Sequence, residues 1–290
     1  MPSSLLRTVV VTGLAITAFA ANSVLARLAL AGGGIDALGF TGVRMTSGAV
    51  VLLLAAMLVA RSPVQLVWRS GSHLQAGALF VYAAAASISY ALLGAGIGAL
   101  ILFGTVQLAS SVWTVRLGER PGPMVWLGLL IAFGSLIYLI SPSLAAPDPV
   151  GVALSVVSGL AWAAYSLTGH RSALPLLDTA GNFLRIAPIC AALAILGVAT
   201  HPATPSALLV AIVCGGLSTG MGYAIWYAAL PLLTKMQASI VQLTVPVIAA
   251  LGAIPIVGEP LTPRFAVSAV ATIGGVGLAI VARRRAARPA

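Results

Sequence analysis

The order of landmark residues in this chain is repeated about 140 residues further along the sequence. Each landmark has a counterpart of the same type: Gly118-Glu119 and Gly258-Glu259, Gly134 and Gly274, and Arg44 and Arg185. A chain made of two copies of one unit folds so that each copy forms the same elements in the same order. The duplication therefore predicts a molecule in two halves and restricts how those halves can be arranged.

Most of the chain is apolar enough to lie in a lipid bilayer. Hydrophobic residues make up 60% of the sequence and charged residues 7%, whereas soluble domains carry about 25% charged residues. A helix of about 20 residues crosses a bilayer, so 290 residues provide for ten spans and short loops. We predict an all-α integral membrane protein with ten transmembrane helices, at 6–29, 37–60, 73–93, 95–116, 122–141, 150–169, 178–199, 206–228, 235–257 and 263–282.

Each half of the chain holds five of these predicted spans. We predict a first five-helix repeat at 1–141, a linker at 142–149, and a second repeat with a basic C-terminal tail at 150–290. Because five is an odd number, the second repeat enters the membrane from the opposite side and is inverted relative to the first. Inverted repeats are an architecture of secondary transporters, so the duplication predicts a transporter.

The positive charges favour one orientation in the membrane. With the N-terminus in the cytoplasm, eleven of the 15 Lys and Arg residues fall on the cytoplasmic side, as the positive-inside bias requires. An even number of spans then places the C-terminus in the cytoplasm as well. This bias also explains the formal net charge of +10. Since the basic residues are dispersed rather than gathered in one patch, nucleic-acid binding is not indicated.

The acidic residues all lie at predicted span ends or in loops: Asp36, Glu119, Asp148, Asp178 and Glu259. Proton-driven pumps usually carry a carboxylate or a histidine within the membrane. Its absence here favours a facilitator, or an exchanger with weak or absent proton coupling. No paired carboxylates, metal-spaced histidines or activated nucleophile share one membrane depth, so neither an enzyme nor a metal or cofactor site is predicted. Cys190 and Cys214 are interpreted as small apolar packing residues.

Two arginines, Arg44 and Arg185, lie within predicted spans. A charge inside the membrane is costly, which makes each arginine a candidate functional residue. On a structural interpretation, each guanidinium binds helix-end carbonyls or reaches the membrane interface. On a functional interpretation, each attracts or binds a carboxylate or phosphate of the substrate. Both interpretations stay open at the level of sequence.

Polar and aromatic residues embedded in the spans are the candidate substrate contacts. They are Asn22, Tyr82, Ser89, Tyr90, Gln107, Trp162, Tyr165, Tyr223, Trp226 and Gln242. Asn22 and Tyr165 occupy corresponding positions in the two halves, as do Gln107 and Gln242. Polar groups in hydrocarbon need partners, so these residues either join helices or face a wet cavity. As a set they predict an aromatic, polar and uncharged cavity that suits a small amphipathic solute.

The ordered recurrence of these features resembles the drug/metabolite transporter (DMT) superfamily, EamA type, over essentially the whole chain. The resemblance rests on the five-plus-five spans, the Gly-Glu element after the fourth helix of each repeat, the intramembrane arginines, Trp126-Leu127-Gly128 to Gly134, and Thr244-Val245-Pro246. One departure is that the stretch from Gln107 to Glu119 is about five residues shorter than that from Gln242 to Glu259. Strict symmetry between the halves is therefore not expected.

The resemblance implies a bacterial inner-membrane protein whose two repeats share a central cavity and move small metabolites. Members commonly export amino acids, and aromatic amino-acid exporters of the YddG type are one match. The expected partners are a small-molecule substrate and the lipid bilayer. Because the duplication supplies a two-fold relation within one chain, a monomer suffices. We interpret Glu119 and Glu259 as structural residues that fix the junction between adjacent helices.

Other functions stay open beside neutral amino-acid export. Arg44 and Arg185 could bind the charge of an anionic or phosphorylated metabolite, which would make the protein an exchanger of such molecules. A multi-pass membrane enzyme or a scaffold is a further class. The sequence shows no catalytic set for an enzyme, and it leaves no room for the soluble output domain of a scaffold.

Overall fold

The computed structural model describes residues 2–116, 122–140, 147–169, 173–233, 241–242, 244–258 and 262–286. These residues form helices joined by short connections, and they contain no β-strand. Glu119 and Glu259, which were predicted to fix adjacent helices to each other, lie outside the described residues.

The helices follow one another along the chain with few intervening residues. They are α1 Pro2–Leu30, α2 Ala37–Leu58, α3 Val64–Arg69, α4 His73–Leu93, α5 Ala95–Arg116, α6 Pro123–Ile140, α7 Pro149–Gly169, α8 Pro175–Thr200, α9 Pro205–Val213, α10 Gly222–Ala229, α11 Val245–Val257 and α12 Pro263–Ala286. A π-helix at Cys214–Met221 joins α9 to α10 without a break.

Six of the described helical segments are long and apolar enough to cross a membrane. They are Leu5–Gly33, Ala37–Leu58, His73–Leu93, Pro149–Thr168, Pro175–Thr200 and Pro205–Leu232. Four shorter apolar segments of 10–17 residues follow the order of the remaining predicted spans: Ala95–Ser110, Pro123–Ser135, Val247–Val257 and Pro263–Ala279. The protein is therefore an all-helical, multi-pass membrane protein with six candidate spans, while the count of ten stays a prediction.

Three local features differ from the predicted spans. The short helix α3 occupies a stretch that was expected to be a loop, and it begins directly after Pro63 in extended conformation. Helix α8 begins at Pro175, three residues before the predicted start at 178, because proline is well suited to the first turn of a helix. The π-helix interrupts the predicted span 206–228, and periodicity alone gives no sign of it.

Polar side chains cap several of the helices at their N-termini. The Asp36 carboxylate accepts hydrogen bonds from the backbone N–H groups of Leu38 and Gly39 at 3.0 and 2.9 Å. Asp148 accepts one from the backbone of Gly151 at 2.8 Å, at the start of α7. A carboxylate at this place satisfies backbone donors and complements the helix dipole. These two acidic residues therefore have a structural use at the ends of spans.

Two pairs of corresponding helices, one helix of each pair from each half of the chain, pack against each other. Helix α2 packs on α8, and α6 packs on α12. At the second contact, a Cβ on Gly128 would lie 2.7 Å from the backbone nitrogen of Ala279, and one on Gly275 would lie 2.5 Å from the Gly128 oxygen. Small residues let the helix backbones approach closely, as is common in membrane proteins.

The first helix of each half packs on the other half. Helix α7 contacts α4 and α5, and α1 contacts α10, the π-helix and α11. When the short helix α3 is left out and α9, the π-helix and α10 are counted as one helix, each first helix thus contacts the third and fourth helices of the opposite half. This exchange brings α1, α4, α7 and α10 together in the interior, where the candidate substrate contacts lie.

Candidate functional site

Aromatic rings from five helices form one continuous group in the interior. This aromatic cluster consists of Phe19 on α1, Tyr82 on α4, Trp162 and Tyr165 on α7, Phe183 on α8, and Tyr223, Trp226 and Tyr227 on α10. Trp162 is central, with ring centroids 4.7 Å from Tyr82, 5.5 Å from Tyr165 and 5.8 Å from Tyr223. These separations and tilted geometries are the ones that aromatic pairs prefer.

The rings of the aromatic cluster differ in how far they are buried. Tyr165, Tyr223 and Trp226 are buried, with 5–6% of their surfaces exposed. Tyr82 and Trp162 are only partly buried, although both rings pack on the buried core. The rings that keep some exposed surface are those of Phe19, Tyr82, Trp162 and Tyr227.

Two tyrosine hydroxyls of the aromatic cluster share one hydrogen-bond partner. Thr179 on α8 lies 3.0 Å from the Tyr165 hydroxyl and 2.6 Å from the Tyr227 hydroxyl, in each case measured from its own hydroxyl oxygen. Buried phenols need such partners. Thr179 thus fixes the rings of α7 and α10 against α8.

Several hydrogen-bond donors converge on one amide oxygen beside the aromatic cluster. This donor cluster consists of Arg44, Cys214 and Thr219, which lie 3.3, 3.0 and 3.5 Å respectively from Asn22 Oδ1. Cys214 and Thr219 are five residues apart in the π-helix, whose hydrogen bonds run from i to i+5, so both face α1. The Tyr82 hydroxyl is also within reach of the Asn22 side chain.

The guanidinium of Arg44 is deeply buried and only partly satisfied. The side chain is 1% exposed. Apart from the bond to Asn22, it donates through Nη2 to the Ala83 carbonyl oxygen at 3.3 Å, and it lies over the Phe40 ring at 5.5 Å. Its Nε–H has no hydrogen-bond partner, and none of the described carboxylates pairs with it. Arg44 is thus a buried cation whose acceptors are all neutral.

Arg185, the counterpart of Arg44, has a different environment. Its Nη1 donates to the carbonyl oxygens of Ser70 and Gly181. Close by, Asp178 accepts from the Gly71 backbone at 2.8 Å, and Asn182 accepts from the Ser72 backbone at 2.8 Å. We call this set the junction, because it holds the connection before α4 against α8. Arg185 thus donates to two backbone carbonyls at this connection, whereas the carbonyl partner of Arg44 lies within α4.

Comparison with known proteins assigns the family. The sequence model of the EamA-like transporter family matches residues 149–281. An uncharacterized protein of Pseudomonas aeruginosa is 44% identical over 285 residues, which cover 97% of this chain and 98% of that protein. The chain belongs to the EamA-like transporter family. Membrane transport of small molecules is therefore its class of function, and the resemblance seen in the sequence is confirmed at the level of the family.

A solved crystal structure shares the fold of this EamA-like protein. The two superpose with a TM-score of 0.62 at 18% sequence identity, and the match covers 97% of this chain and 99% of the other. At this identity the likeness concerns the fold alone. The Pseudomonas relative is uncharacterized, so these matches carry no preference for amino acids or for any other substrate.

The remaining predicted contacts of this EamA-like protein are dispersed. Ser89 lies 2.5 Å from the Ser155 hydroxyl and donates to the Gly151 carbonyl, so it joins α4 to α7. The Tyr90 hydroxyl lies 3.2 Å from that of Ser23 on α1. Gln107 and Gln242 are both partly buried, on α5 and just before α11. Tyr82, Trp162, Tyr165, Tyr223 and Trp226 are the predicted contacts that the aromatic cluster unites, and Asn22 belongs to the adjacent donor cluster.

Sequence reasoning missed several residues of the site. Thr179 and Thr219 are single hydroxyls in apolar runs, with no signal that sets them apart. Cys214 is buried in the core cluster around Phe40, as expected of a packing residue, but no signal in the sequence indicates that its Sγ also faces Asn22 Oδ1. Cys190 is buried in the core cluster around Phe183, as expected of a packing residue.

Other kinds of site are not evident in the part of the chain that the structure describes. There, no three His, Cys, Asp or Glu side chains gather into a set that could hold a metal ion. A shallow pocket lies at the amphipathic helix α3, lined by Val64, Gln65, Trp68 and Arg69. This pocket is open toward the surface and is lined by four residues of one short helix, so the interior clusters are the stronger candidate site.

Proposed function

We propose that this protein exports small amphipathic metabolites, or facilitates their diffusion, with neutral and aromatic amino acids as its first substrates. The observation that carries the proposal is the interior aromatic cluster, in which the contacting rings of Tyr82 and Trp162 are only partly buried. Aromatic side chains provide a large apolar contact surface and a polar tip. Such a surface suits a solute that has one apolar and one polar end.

Alternating access between two inverted repeats is the proposed mechanism. The repeats are 1–141 and 150–290, joined by 142–149. The packing of α2 on α8 and of α6 on α12 supports this division, because exchange of the two halves preserves both contacts. The aromatic cluster draws its rings from both halves, so a rocking motion of one half against the other would open it to either side in turn.

Transport without tight proton coupling is consistent with the hydrogen bonds of the three acidic residues that the structure describes. Asp36 and Asp148 cap helices, and Asp178 accepts from the Gly71 backbone in the junction. Each of these three carboxylates is thus engaged with backbone N–H groups. A facilitator, or an exchanger that does not depend on a pH gradient, follows from this arrangement.

The proposed location is the bacterial inner membrane, with both termini in the cytoplasm. Its support is the positive-inside bias of the sequence, in which eleven of the 15 basic residues fall on the cytoplasmic side. One chain is expected to suffice for transport, since both halves of the site come from the same molecule.

The exchange of anionic or phosphorylated metabolites by means of Arg44 and Arg185 has less support as a use of both arginines at one site. The carbonyl partner of Arg185 precedes α4, whereas that of Arg44 is Ala83, ten residues into the helix. At a rise of 1.5 Å per residue, Ala83 lies about 15 Å along α4 from the first residue of that helix, whereas Ser70 lies before the helix begins. The two guanidinium groups therefore serve separate places in the fold.

Uptake of radiolabelled amino acids into proteoliposomes tests the proposed function. The purified protein is reconstituted, and flux is measured with and without an imposed pH gradient. We expect saturable flux of aromatic and other neutral amino acids that ignores the gradient. An absence of flux in a folded sample would reject the substrate class, and flux that follows the gradient would reject the facilitator.

A pair of tryptophan variants tests whether the aromatic cluster is the route. Trp162→Leu removes the central ring, and we expect flux to fall about tenfold, since aromatic contacts of this kind contribute on the order of 1 kcal/mol or more. Trp126→Leu is the matched control, because that side chain is 49% exposed on α6. Equal flux in both variants would place the route elsewhere.

A further inference from the structure

We propose that the donor cluster of Arg44, Cys214 and Thr219 is the binding site for a single carboxylate group of the substrate. This inference rests on the proposed function and deepens it, because it names the polar end of the solute. Its starting point is the burial of Arg44, which is 1% exposed and has no paired carboxylate within the described residues.

The donors of the donor cluster outnumber the lone pairs of the amide oxygen that they share, and the hydrogen bonds of Arg44 are longer than is usual for a guanidinium. Asn22 Oδ1 is approached by Arg44, Cys214 and Thr219 at 3.0–3.5 Å, although an amide oxygen has only two lone pairs. Charge-assisted bonds to a guanidinium are normally 2.7–2.9 Å long. The distances of 3.3 Å from Arg44 to both its acceptors are therefore long for a guanidinium, which indicates weak bonds.

The Nε–H of Arg44 supplies the most direct sign of a missing acceptor. It is buried and has no hydrogen-bond partner. A buried charge that is neither paired nor fully hydrogen-bonded is costly. A guanidinium binds a carboxylate through two parallel N–H groups, and an unpartnered Nε–H is one half of such an edge. A bound carboxylate would satisfy this donor and neutralise the charge together.

Charge balance favours one carboxylate over a phosphate. Arg44 contributes one positive charge, and its neighbours Asn22, Cys214 and Thr219 are uncharged donors or acceptors. Arg185 is engaged in the junction with Ser70 and Gly181. A phosphate dianion would keep an unbalanced negative charge at this depth, whereas a monocarboxylate is compensated.

Two residues connect the donor cluster to the aromatic cluster. The Tyr82 ring lies 4.7 Å from that of Trp162, while its hydroxyl reaches the Asn22 side chain. On α1, Phe19 and Asn22 are three residues apart and share a helix face, and Phe19 packs on Tyr223 at 5.8 Å. A solute with a carboxylate at Arg44 thus has its apolar part beside the rings of Phe19 and Tyr82.

Binding of a matched acid and amide to the purified protein tests this site. The probes are 3-phenylpropanoate and 3-phenylpropanamide, which share an aromatic ring and differ in charge, and the readout is tryptophan fluorescence or a ligand-induced thermal shift. We expect the acid to bind about tenfold or more tightly than the amide, as loss of a charge-assisted hydrogen bond predicts. Equal affinity for acid and amide would overturn the proposal.

Variants then locate the preference for the acid. Arg44→Gln is expected to bind both probes alike, and Arg185→Gln, the matched control from the junction, is expected to keep the wild-type ratio. Preference for the acid that persists in folded Arg44→Gln would overturn the assignment. Should Arg44→Gln not fold, Thr219→Val and Cys214→Ala each remove one neutral donor. A several-fold loss of acid binding supports the site, and unchanged binding in both rejects it.

The outcome is distinguishable from failure of the proposed function. Both probes lack an amine, so their binding does not depend on amino-acid transport. Selective acid binding without amino-acid flux would retain the carboxylate site and reject amino acids as substrates. Amino-acid flux together with equal binding of acid and amide would retain the proposed function and reject the site.

Discussion

Arg44 and Arg185 occupy corresponding places in the two halves of the chain, yet their surroundings differ. Arg185 donates to two backbone carbonyls in a junction where Asp178 and Asn182 also bind backbone N–H groups. Arg44 is 1% exposed, shares an amide oxygen with two other donors and has an unpartnered Nε–H. The junction is satisfied by the chain itself, whereas the donor cluster is not.

This difference shows how a duplicated unit can divide its work between the copies. A buried guanidinium is stable where the fold provides acceptors, and the chain provides them in the connection before α4. Where acceptors are incomplete, the same residue type costs free energy unless a ligand completes them. One half can thus use its arginine to hold helices together while the other keeps a charge available.

The largest effect is expected from a change in the packing of the junction. In Gly181→Ala, the new Cβ would lie 2.6 Å from the Val67 carbonyl oxygen and closer still to that of Ser70. Because both contacts are backbone atoms, the variant should lose folded yield or at least about 1–3 kcal/mol of stability. Thermal unfolding in detergent measures this loss. Gly77→Ala is the control, since its Cβ meets nothing within 4 Å.

Removal of the junction arginine should also destabilise the protein. Arg185→Met leaves the Ser70 and Gly181 carbonyl oxygens without their charged donor, and hydrogen bonds to charged groups contribute about 1.5–3 kcal/mol. We expect a lower Tm, while the ratio of acid to amide binding per folded molecule stays that of the wild type. A Tm equal to that of the wild type would mean that these bonds hold nothing in place.

The corresponding change in the donor cluster should act in the opposite direction. Arg44→Met replaces a buried cation that has only neutral partners with an apolar side chain of similar length. Replacement of a buried ion pair by apolar residues is often neutral or stabilising by about 1–4 kcal/mol, and Arg44 has no counter-charge among the described residues to offset its burial, so Tm in the absence of ligand should stay level or rise. Acid binding should be lost at the same time. A fall in Tm as large as that of Arg185→Met would erase the contrast between the two sites.

Much of the fold could be predicted from the sequence because its main signals are local. Apolar runs bounded by charges and turns locate the helices, and α2, α4 and α5 begin within one residue of the predicted spans. The π-helix could not be found in this way, since Cys214–Met221 reads as an ordinary apolar stretch. Helix α3 was missed because six residues are too few to show a period.

The candidate site was only partly predictable, because it depends on contacts between distant helices. The rings of Tyr82, Trp162 and Tyr223 could be selected by residue type within apolar runs. Nothing in the sequence indicates that Thr179 reaches two of the tyrosines, or that Cys214 faces Asn22 across 192 residues. The two arginines were also indistinguishable, since their roles depend on which acceptors the folded chain brings to each.

The smallest effect is expected where the junction and the aromatic cluster meet. Thr179 lies next to Asp178 on α8, and its hydroxyl contacts those of Tyr165 and Tyr227. Thr179→Val keeps the shape but removes these bonds, so we expect a loss of about 1 kcal/mol in stability and a change in amino-acid flux of only a few-fold. Thr200→Val is the control, because its hydroxyl is exposed and bonds to the carbonyls of its own helix. If Thr179→Val instead removed transport entirely while the protein stayed folded, the junction would position the tyrosines for transport, and the junction and the aromatic cluster could not be treated as separate sites.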